Sequence, residues 1–379
     1  MWSENSAAGS IVDVVGLRVG QVQAIRSGWR TGTTVIVAEH GAVAGVDVRG
    51  GGPGTHETDL LRPENLVQQV HAICLTGGSA YGLAAAGGVM AVLEARSIGF
   101  PVGDVARPGH GGVVPIVPAA VIYDLGRAGT FTNRPDAGFG SRATMTALRG
   151  RAKRSVAEGA IGAGTGAVSG GLQGGVGTAS IRLPSGVVVA AIAVVNSAGS
   201  VIDPGTGLPW ERAGIELRRP SAVDRARLRL IVTGEHTPLN TTIGVVATTM
   251  PLSKAECTKF AGVAHDGMAR AIRPAHSMFD GDTVFALASG QTRADDNPAG
   301  DNPAGDESTG DNFGDNSGDD AAMAHRRRAI ELNAVFEAGA ACFSIAATRA
   351  VVLAASVPGG PPAYRDVCPS ASRGSTVRT

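Results

Sequence analysis

Short apolar runs recur along the chain and are separated by polar or glycine-containing turns. Each run predicts a β-strand, and the runs are 34–38, 43–48, 72–75, 113–121, 187–195 and 228–233. Several are apolar throughout instead of alternating with polar residues, which is typical of strands that are covered on both faces. The pattern therefore predicts sheet layers that lie inside the molecule.

Longer segments between these runs predict helices, and they are 79–96, 141–152, 253–271 and 323–356. The first is rich in small residues, so we expect it to pack closely against a neighbour. Ser253 followed by Glu256 forms a capping-box pattern at the start of the third. Helices that cover strands indicate a layered α/β (α+β) sandwich, and a version with two sheets flanked by helices explains the doubly buried strands.

Two segments are not expected to belong to the core of a single domain spanning 1–358. Segment 292–322 carries two consecutive Asp-Asn-Pro-Ala-Gly repeats and has nine acidic residues but one basic residue. Such a composition buries too little apolar surface to offset the entropy of ordering. We predict a disordered acidic insertion, with a partner-binding arm as the alternative, and a flexible tail at 359–379.

Composition excludes several classes of function. The formal net charge is zero and aromatic residues make up 4% of the chain, which argues against nucleic-acid or anionic-membrane partners. The apolar stretch 82–92 is too short to cross a membrane. The start of the sequence has no secretory signal pattern, and four scattered cysteines indicate buried free thiols with no disulfide framework or zinc site. A cytoplasmic protein without a cofactor or metal is expected.

An Asn240-Thr241 bond lies just before the apolar run 243–248. If a turn holds this bond, the Thr241 hydroxyl can attack the Asn240 carbonyl and cut the chain. The new α-amine of Thr241, with a pKa of about 7.7–8.0 in small peptides, then activates its own hydroxyl. The alternatives are an ordinary strand-entry pair and an N-glycosylation sequence.

Asp280 and Asp282 alternate just before another apolar run. In an extended chain both side chains point the same way, so they can face one pocket and raise one of their pKa values. A simple Asp-Gly-Asp turn is the alternative. Asn196 ends the run 187–195 and could donate to an oxyanion, or it terminates the strand in a turn. Tyr123 is a pocket candidate or a half-buried strand residue.

The glycine-rich stretch 162–167 fits the dinucleotide fingerprint only in name. Glycines at 170–171 and 174–175 would break the helix that should follow, and no acidic residue lies about 20 positions further on. We therefore reject nucleotide binding and expect close backbone packing around a pocket.

The residues as a whole resemble the DmpA-like peptidases, which include L-aminopeptidase/D-esterase, β-peptidyl aminopeptidases and the nylon-oligomer endohydrolase. The matching segments are 49–60, 75–83, 114–118, 162–167, 174–180, 240–242 and 280–283. The Asn-Thr junction and the Asp-x-Asp pair are similar to the nylon-oligomer branch. The aminopeptidase branch uses serine and Ser-x-Glu there.

The resemblance implies a four-layer αββα sandwich like that of N-terminal-nucleophile hydrolases. It implies self-cleavage into chains 1–240 and 241–379, which stay associated in a homo-oligomer, a tetramer of processed protomers. Thr241 would be the nucleophile, assisted by Asp280 and Asp282, with Asn196 at the oxyanion and Tyr123 in the pocket. The expected activity is that of an aminopeptidase acting on small peptides or related amides.

One departure from the family pattern concerns a pocket lysine that supports processing in the nylon branch. No lysine occurs between Lys153 and Lys254, and Gly171 or Gln173 stands in that region. Two other functional classes stay open. An uncut relative could serve as a binding or scaffold protein, and an acyltransferase could resemble ornithine acetyltransferase, which has a similar fold and an N-terminal threonine.

Overall fold

The computed structural model describes residues 9–104, 107, 109–127, 129–149, 155–234, 239–290 and 317–372. Its strands are β1 (Leu17–Arg26), β2 (Trp29–Val48), β3 (Thr55–His56), β4 (Gln69–Thr76), β5 (Phe100–Gly103), β6 (Gly111–Val114), β7 (Ala119–Val121), β8 (Val168–Ser169), β9 (Leu172–Gln173), β10 (Gly175–Arg182), β11 (Val188–Asn196), β12 (Thr241–Thr248) and β13 (Thr283–Ala288). The helices are α1 (Ser79–Gly82), α2 (Ala84–Glu94), α3 (Ala137–Leu148), α4 (Ala222–Val232), α5 (Lys254–Ala271), α6 (Ser317–Val352) and α7 (Tyr364–Val367).

The long strand β2 joins two layers of sheet. Its first half pairs antiparallel with β1, and its last residues pair with β13. The pairing of β2 with β4 shifts register between Val37 and Ala42, at the change from one half to the other. The hydrogen-bonded order β10-β11-β12-β13-β2-β4-β7-β3 therefore runs through both layers without a break.

Three apolar clusters separate the layers. The middle cluster joins inward-facing residues of both sheets, such as Ile36 and Ile73 on one side and Ile192 and Ile243 on the other. One outer cluster packs α2 and α3 on the first sheet, and the other packs α5 and α6 on the second. Successive strand residues alternate between clusters, so both sheet faces are buried. The fold is an α+β sandwich with αββα layers, as the apolar pattern and the resemblance predicted.

Two strand predictions are wrong. The run 228–233 lies in α4, which begins after Ser221, whose hydroxyl accepts from the Asp224 N–H at 3.2 Å. Leu228 is the one residue of this apolar run that is buried in α4, and the arginine-rich face of the helix is exposed. The N-cap therefore stabilises a helix here instead of a strand. The run 113–121 divides into β6 and β7 because the prolines at 115 and 118 have no N–H for a sheet ladder.

The helix predictions hold with shifted ends. Segment 79–96 is divided into α1 and α2, and α3 begins at Ala137 behind the N-cap Asp136, earlier than expected. The predicted capping box is present: Ser253 accepts from the Glu256 N–H, and Glu256 accepts from the Ser253 N–H. Both bonds satisfy N–H groups that have no partner within the helix.

Both ends of the C-terminal region differ from expectation. Helix α6 begins at Ser317, so the predicted insertion 292–322 is wrong for its last six residues, and 292–316 lies outside the described residues. The tail is ordered through residue 372. Tyr364 in α7 is buried and donates to the Gly207 carbonyl at 2.7 Å, so the prediction of a flexible tail is wrong for 359–372.

Helix α6 contains the segment His325–Val352, which is long and apolar enough to span a membrane by length and composition alone. Its most apolar window is 78% buried inside the protein, where it packs against β10 and β11. Its apolar character is therefore accounted for by core packing. All four cysteines are free and buried, as predicted.

Candidate active site

The Asn240-Thr241 bond lies at the start of β12, between the ends of β11 and β13. Asn240 forms a parallel bridge with Asp280. Its N–H donates to the Phe279 carbonyl at 3.2 Å, and its own carbonyl accepts from the Gly281 N–H at 3.2 Å. Both backbone groups of Asn240, its N–H and its carbonyl, are thus bound by the segment that precedes β13.

The Thr241 side chain is 5% exposed, and its hydroxyl donates to the Asn240 carbonyl oxygen. Glycine is required beside it, because a Cβ on Gly281 would lie 2.9 Å from Thr241 Oγ1. A cavity of about 160 Å³ opens at this point, and its lining includes Thr241, Ser79 and Tyr123. The hydroxyl therefore touches the group it would attack and lies at the wall of a small cavity.

Asp282 binds the residue that follows Thr241. Its Oδ1 accepts from the Thr242 N–H at 2.7 Å, and its Oδ2 accepts from the His276 backbone N–H at 3.1 Å. Nδ1 of the His276 ring lies 2.8 Å from the same Oδ2. Asp282 therefore links β12 to the loop before β13. His276 was not singled out from the sequence, where it has no motif around it.

Asp280 occupies the same buried region with different partners. Its Oδ2 accepts from the Ser277 N–H at 2.8 Å, and the Ala198 N–H also bonds to the carboxylate. Burial raises the pKa of Asp280, and the negative charge of Asp282 raises it further, against the hydrogen bonds that lower it. In the described part of the chain, the Thr241 hydroxyl contacts Asn240 and neither carboxylate.

Asn196 lies opposite Thr241 in the register of β11 and β12 and is fully buried. Its Nδ2 donates to the Tyr123 carbonyl at 3.3 Å, and its Oδ1 accepts from the Val168 N–H at 3.0 Å. The structure thus brings Asn196 and Tyr123 into the site. The amide that reaches the Asn240 carbonyl, however, is the N–H of Gly281, which sequence reasoning missed.

Arg127 is the third group that sequence reasoning missed. It follows β7 in a loop and donates from Nη1 to Asn196 Oδ1 and from Nη2 to the Leu239 carbonyl at 2.5 Å and to Asn240 Oδ1 at 3.2 Å. Its guanidinium carbon lies 5.7 Å from the centre of the Tyr123 ring. Only its closeness to Tyr123 in the sequence could have drawn attention to it.

A buried group of charges lies behind Arg127. Asp124 accepts from the Thr31 hydroxyl and the Gly78 N–H, both at 2.7 Å, and burial raises its pKa to about 6. Burial also lowers the pKa of Arg30 to about 10. Burial lowers the pKa of Arg127, whereas the charge of Asp124 raises it. These opposite charges partly offset the cost of burying one another.

Gln173, which stands in the region of the expected lysine, belongs to this group. Its Oε1 accepts from Arg30 Nη2 at 2.7 Å, and its Nε2 donates to the Ala167 and Gly174 carbonyls, each at 3.0 Å. It therefore anchors the glycine-rich stretch. The cation at the junction comes instead from Arg127, on a different segment.

The glycine-rich stretch packs backbone against backbone, as expected. Gly162–Gly164 forms one turn of 3-10 helix, and the short strand β8 follows it in place of a helix. A Cβ on Gly164 would lie 2.4 Å from the Gly175 carbonyl carbon. Within the described residues there is no group of three or more His, Cys, Asp or Glu that could hold a metal ion.

Comparison with known proteins gives a consistent result. The sequence model of peptidase family S58 matches residues 9–362. A Mycobacterium tuberculosis protein described as an uncharacterized aminopeptidase is 45% identical over 374 residues, which cover 96% of this chain and 98% of that protein. The 6-aminohexanoate-oligomer endohydrolase of a Kocuria strain is 31% identical over 267 residues, covering 68% of this chain and 69% of that enzyme.

Among solved structures, the L-aminopeptidase D-Ala-esterase/amidase of Ochrobactrum anthropi, described as a variant of the Ntn-hydrolase fold, superposes with a TM-score of 0.61. The alignment covers 92% of this chain and 87% of that one, at 20% identity. This likeness agrees with the αββα layers found here.

Proposed function

The chain belongs to peptidase family S58, the family it was expected to resemble, and is a hydrolase of peptide or amide bonds; we propose that Thr241 is its nucleophile after the chain cuts itself before this residue. The observation that carries the proposal is the contact between the Thr241 hydroxyl and the carbonyl of Asn240, beside a small cavity.

The proposed self-cleavage proceeds in two steps. Oγ1 of Thr241 attacks the Asn240 carbonyl carbon, and the C–N bond breaks as the nitrogen takes a proton, leaving an ester on Oγ1. Water then hydrolyses the ester, which gives a carboxylate on Asn240 and a free α-amine on Thr241. The amine serves as the base for its own hydroxyl in later turnovers. The Gly281 N–H already donates to the carbonyl oxygen that gains negative charge.

The two aspartates support this chemistry by position. Asp282 fixes the backbone of Thr242 and so orients β12 at its first residues. Asp280, whose pKa is raised by burial, lies on the segment bridged to Asn240 and can exchange a proton near the new amine. We propose these roles for the cut form, together with a pocket role for Tyr123. For Asn196, which lies opposite Thr241 in the register of β11 and β12, we propose a role at the oxyanion.

The two chains should stay associated after the cut. Strand β12, which begins at Thr241, pairs with β11 of the first chain and β13 of the second, and β13 pairs with β2 of the first. The new ends therefore arise inside a sheet in which the two strands of the second chain lie between strands of the first. Assembly of such processed protomers into a homo-oligomer is part of the proposal.

The test is replacement of Thr241 by Ala, which should give an uncut and inactive chain. Thr242→Val is the matched control, because the neighbouring Thr242 hydroxyl is buried without a hydrogen-bond partner in the structure. This variant should still be cut. Mass spectrometry of the purified chains provides the measurement, and a second chain beginning Thr-Thr-Ile-Gly is expected from wild type. Cleavage after Asn240 in Thr241→Ala would refute the proposal.

Two other functions make different predictions in the same experiment. A binding or scaffold protein would keep its full 379-residue chain and hydrolyse no amide. An acyltransferase would be cut but would transfer the acyl group to hydroxylamine or an amino acid in preference to water. The names of the relatives favour an aminopeptidase acting on small peptides or related amides.

A further inference from the structure

Self-cleavage and substrate hydrolysis pass through the same kind of intermediate, an acyl ester on Thr241 Oγ1. In the first reaction the acyl group is that of Asn240, and in the second it is that of the substrate. The groups that surround Asn240 in the uncut chain therefore surround the substrate's acyl residue in the cut enzyme. This argument rests on the proposed role of Thr241.

Arg127, a charged residue of the first chain, contacts the side chain of Asn240. Its Nη2 donates to Asn240 Oδ1 at 3.2 Å, the oxygen attached to the γ carbon. Two of its other contacts are to residues far from the cut in the sequence: Nη1 donates to Asn196 Oδ1, and the guanidinium lies over the Tyr123 ring. Asn196 and Tyr123 therefore hold the guanidinium in place independently of Asn240.

The remaining contacts of Asn240 show how a substrate with a free amino terminus would fit. Its backbone N–H donates to the Phe279 carbonyl at 3.2 Å, so an amino group has an acceptor at that position. Arg127 also donates to the Leu239 carbonyl, and a substrate that begins at the acyl residue has no such group. The γ oxygen is then the acceptor that the substrate itself offers to Arg127.

We propose that Arg127 determines specificity by selecting substrates whose N-terminal residue carries an oxygen on its γ carbon, namely asparaginyl and aspartyl amides. The Arg127 guanidinium is half-buried and therefore only partly accessible to water. Loss of an acceptor there is penalised, so a side chain of the same shape without oxygen is a poorer substrate. A cationic side chain at this position is disfavoured by like charge.

The wild-type enzyme gives the first test, with the p-nitroanilides of L-asparagine, L-aspartate and L-leucine. Leucine branches at the γ carbon as the other two do but offers no acceptor. A hydrogen bond to a charged group predicts that kcat/KM for the asparaginyl and aspartyl substrates exceeds that for the leucyl one by about 10- to 100-fold. Equal or faster hydrolysis of the leucyl substrate would overturn the proposal and leave the role of Thr241 intact.

Arg127→Met provides the second test, because methionine keeps an apolar stem and removes the donors. The ratio of kcat/KM for aspartyl over leucyl substrate should fall to about one in the cut fraction, with cleavage followed by mass spectrometry. Arg26→Met is the control, since Arg26 also lies over an aromatic ring, that of Trp29, at 5.1 Å, and its variant should keep the wild-type ratio. An unchanged ratio in Arg127→Met would contradict the proposal.

If Arg127→Met remains uncut, the wild-type ratio among the three substrates decides the question alone. A wild-type protein that stays uncut and hydrolyses none of the three would instead refute the assignment of Thr241, and the specificity proposal with it. The two failures are therefore distinguishable by the state of the wild-type chain.

Discussion

Single residues carry the electrostatics of the site, and Asp124 illustrates the balance. Its carboxylate is buried, yet it accepts two hydrogen bonds and faces the guanidinium groups of Arg30 and Arg127. Burial disfavours its charged form more than these partners favour it, so its pKa rises to about 6. The group behind Arg127 therefore changes charge near pH 6.

This residue predicts a measurable dependence of stability on pH. The unfolded chain loses the Asp124 proton near pH 3.8, whereas the folded chain holds it to about pH 6. Between these values the folded state binds more protons than the unfolded chain. The proton on Asp124 therefore stabilises the folded state fully below the lower pKa, and this stabilisation is lost as pH rises through the upper one. Relative to Asp124→Asn, the free energy of unfolding should fall by about 2 kcal/mol between about pH 4.5 and 7.

The measurement is urea unfolding across this range with Thr241→Ala in both proteins, so that one uncut chain unfolds. Asp136→Asn is a suitable control, because Asp136 is the N-cap of α3 and lies outside the buried group of charges. Parallel pH profiles of the Asp124→Asn protein and its parent would contradict the prediction.

At the scale of elements, small residues decide how closely helices approach. Helix α2 is rich in alanine and glycine and packs against α3 with little space between their backbones. A Cβ on Gly88 would lie 1.8 Å from the Ala137 carbonyl oxygen, whereas a Cβ on the adjacent Gly87 would meet nothing within 4 Å. The composition of the segment predicted close packing, and the structure assigns it to one face of the helix.

These adjacent glycines give a matched pair of variants with opposite effects. Gly87→Ala should stabilise the protein by about 0.5–1 kcal/mol, because alanine restricts the unfolded chain and favours the helix. Gly88→Ala should destabilise it by about 1–3 kcal/mol, because the two helices must move apart. Urea unfolding of the uncut background measures both, and effects of the same sign would show that the packing of α2 on α3 is different.

At the scale of the whole molecule, the site depends on both sheet layers at once. Thr241 and Asn196 come from adjacent strands of the second sheet, and Tyr123 and Arg127 follow β7 of the first. Strand β2 passes through both layers and fixes their relation. In the sequence, the acidic segment 292–316 follows β13 and precedes α6.

Replacement of 292–316 by a Gly-Ser linker of equal length should leave self-cleavage and the association of the two chains unchanged. The segment's acidic composition offers no core residues, and loop closure depends weakly on length. A replacement that extends through Arg328 is the contrasting variant, since Arg328 binds Glu256 of the capping box at 3.0 and 3.1 Å. Size-exclusion chromatography and mass spectrometry report both properties, and loss of cleavage in the shorter replacement would disprove the prediction.

The sequence by itself determined the family and the layered fold, because both follow from local patterns, and it predicted the junction at Asn240-Thr241. Apolar runs specify strands covered on both faces, and the pair of Ser253 and Glu256 specifies the start of α5. The run at 228–233 was misjudged because five or six apolar residues do not distinguish a strand from a partly buried helix.

Only the tertiary structure decided which groups surround the junction. Arg127 reaches Asn240 across 113 positions of sequence, and His276 bonds to Asp282 from a loop without a motif. Gly281 lies within the Asp-Gly-Asp pattern, but that pattern does not predict the hydrogen bond from its N–H to the Asn240 carbonyl. A missing lysine could be noticed in the sequence, but the arginine at the site could not be assigned there. Local pattern fixes the conformation of a segment, whereas contacts between distant loops depend on how the two sheets pack.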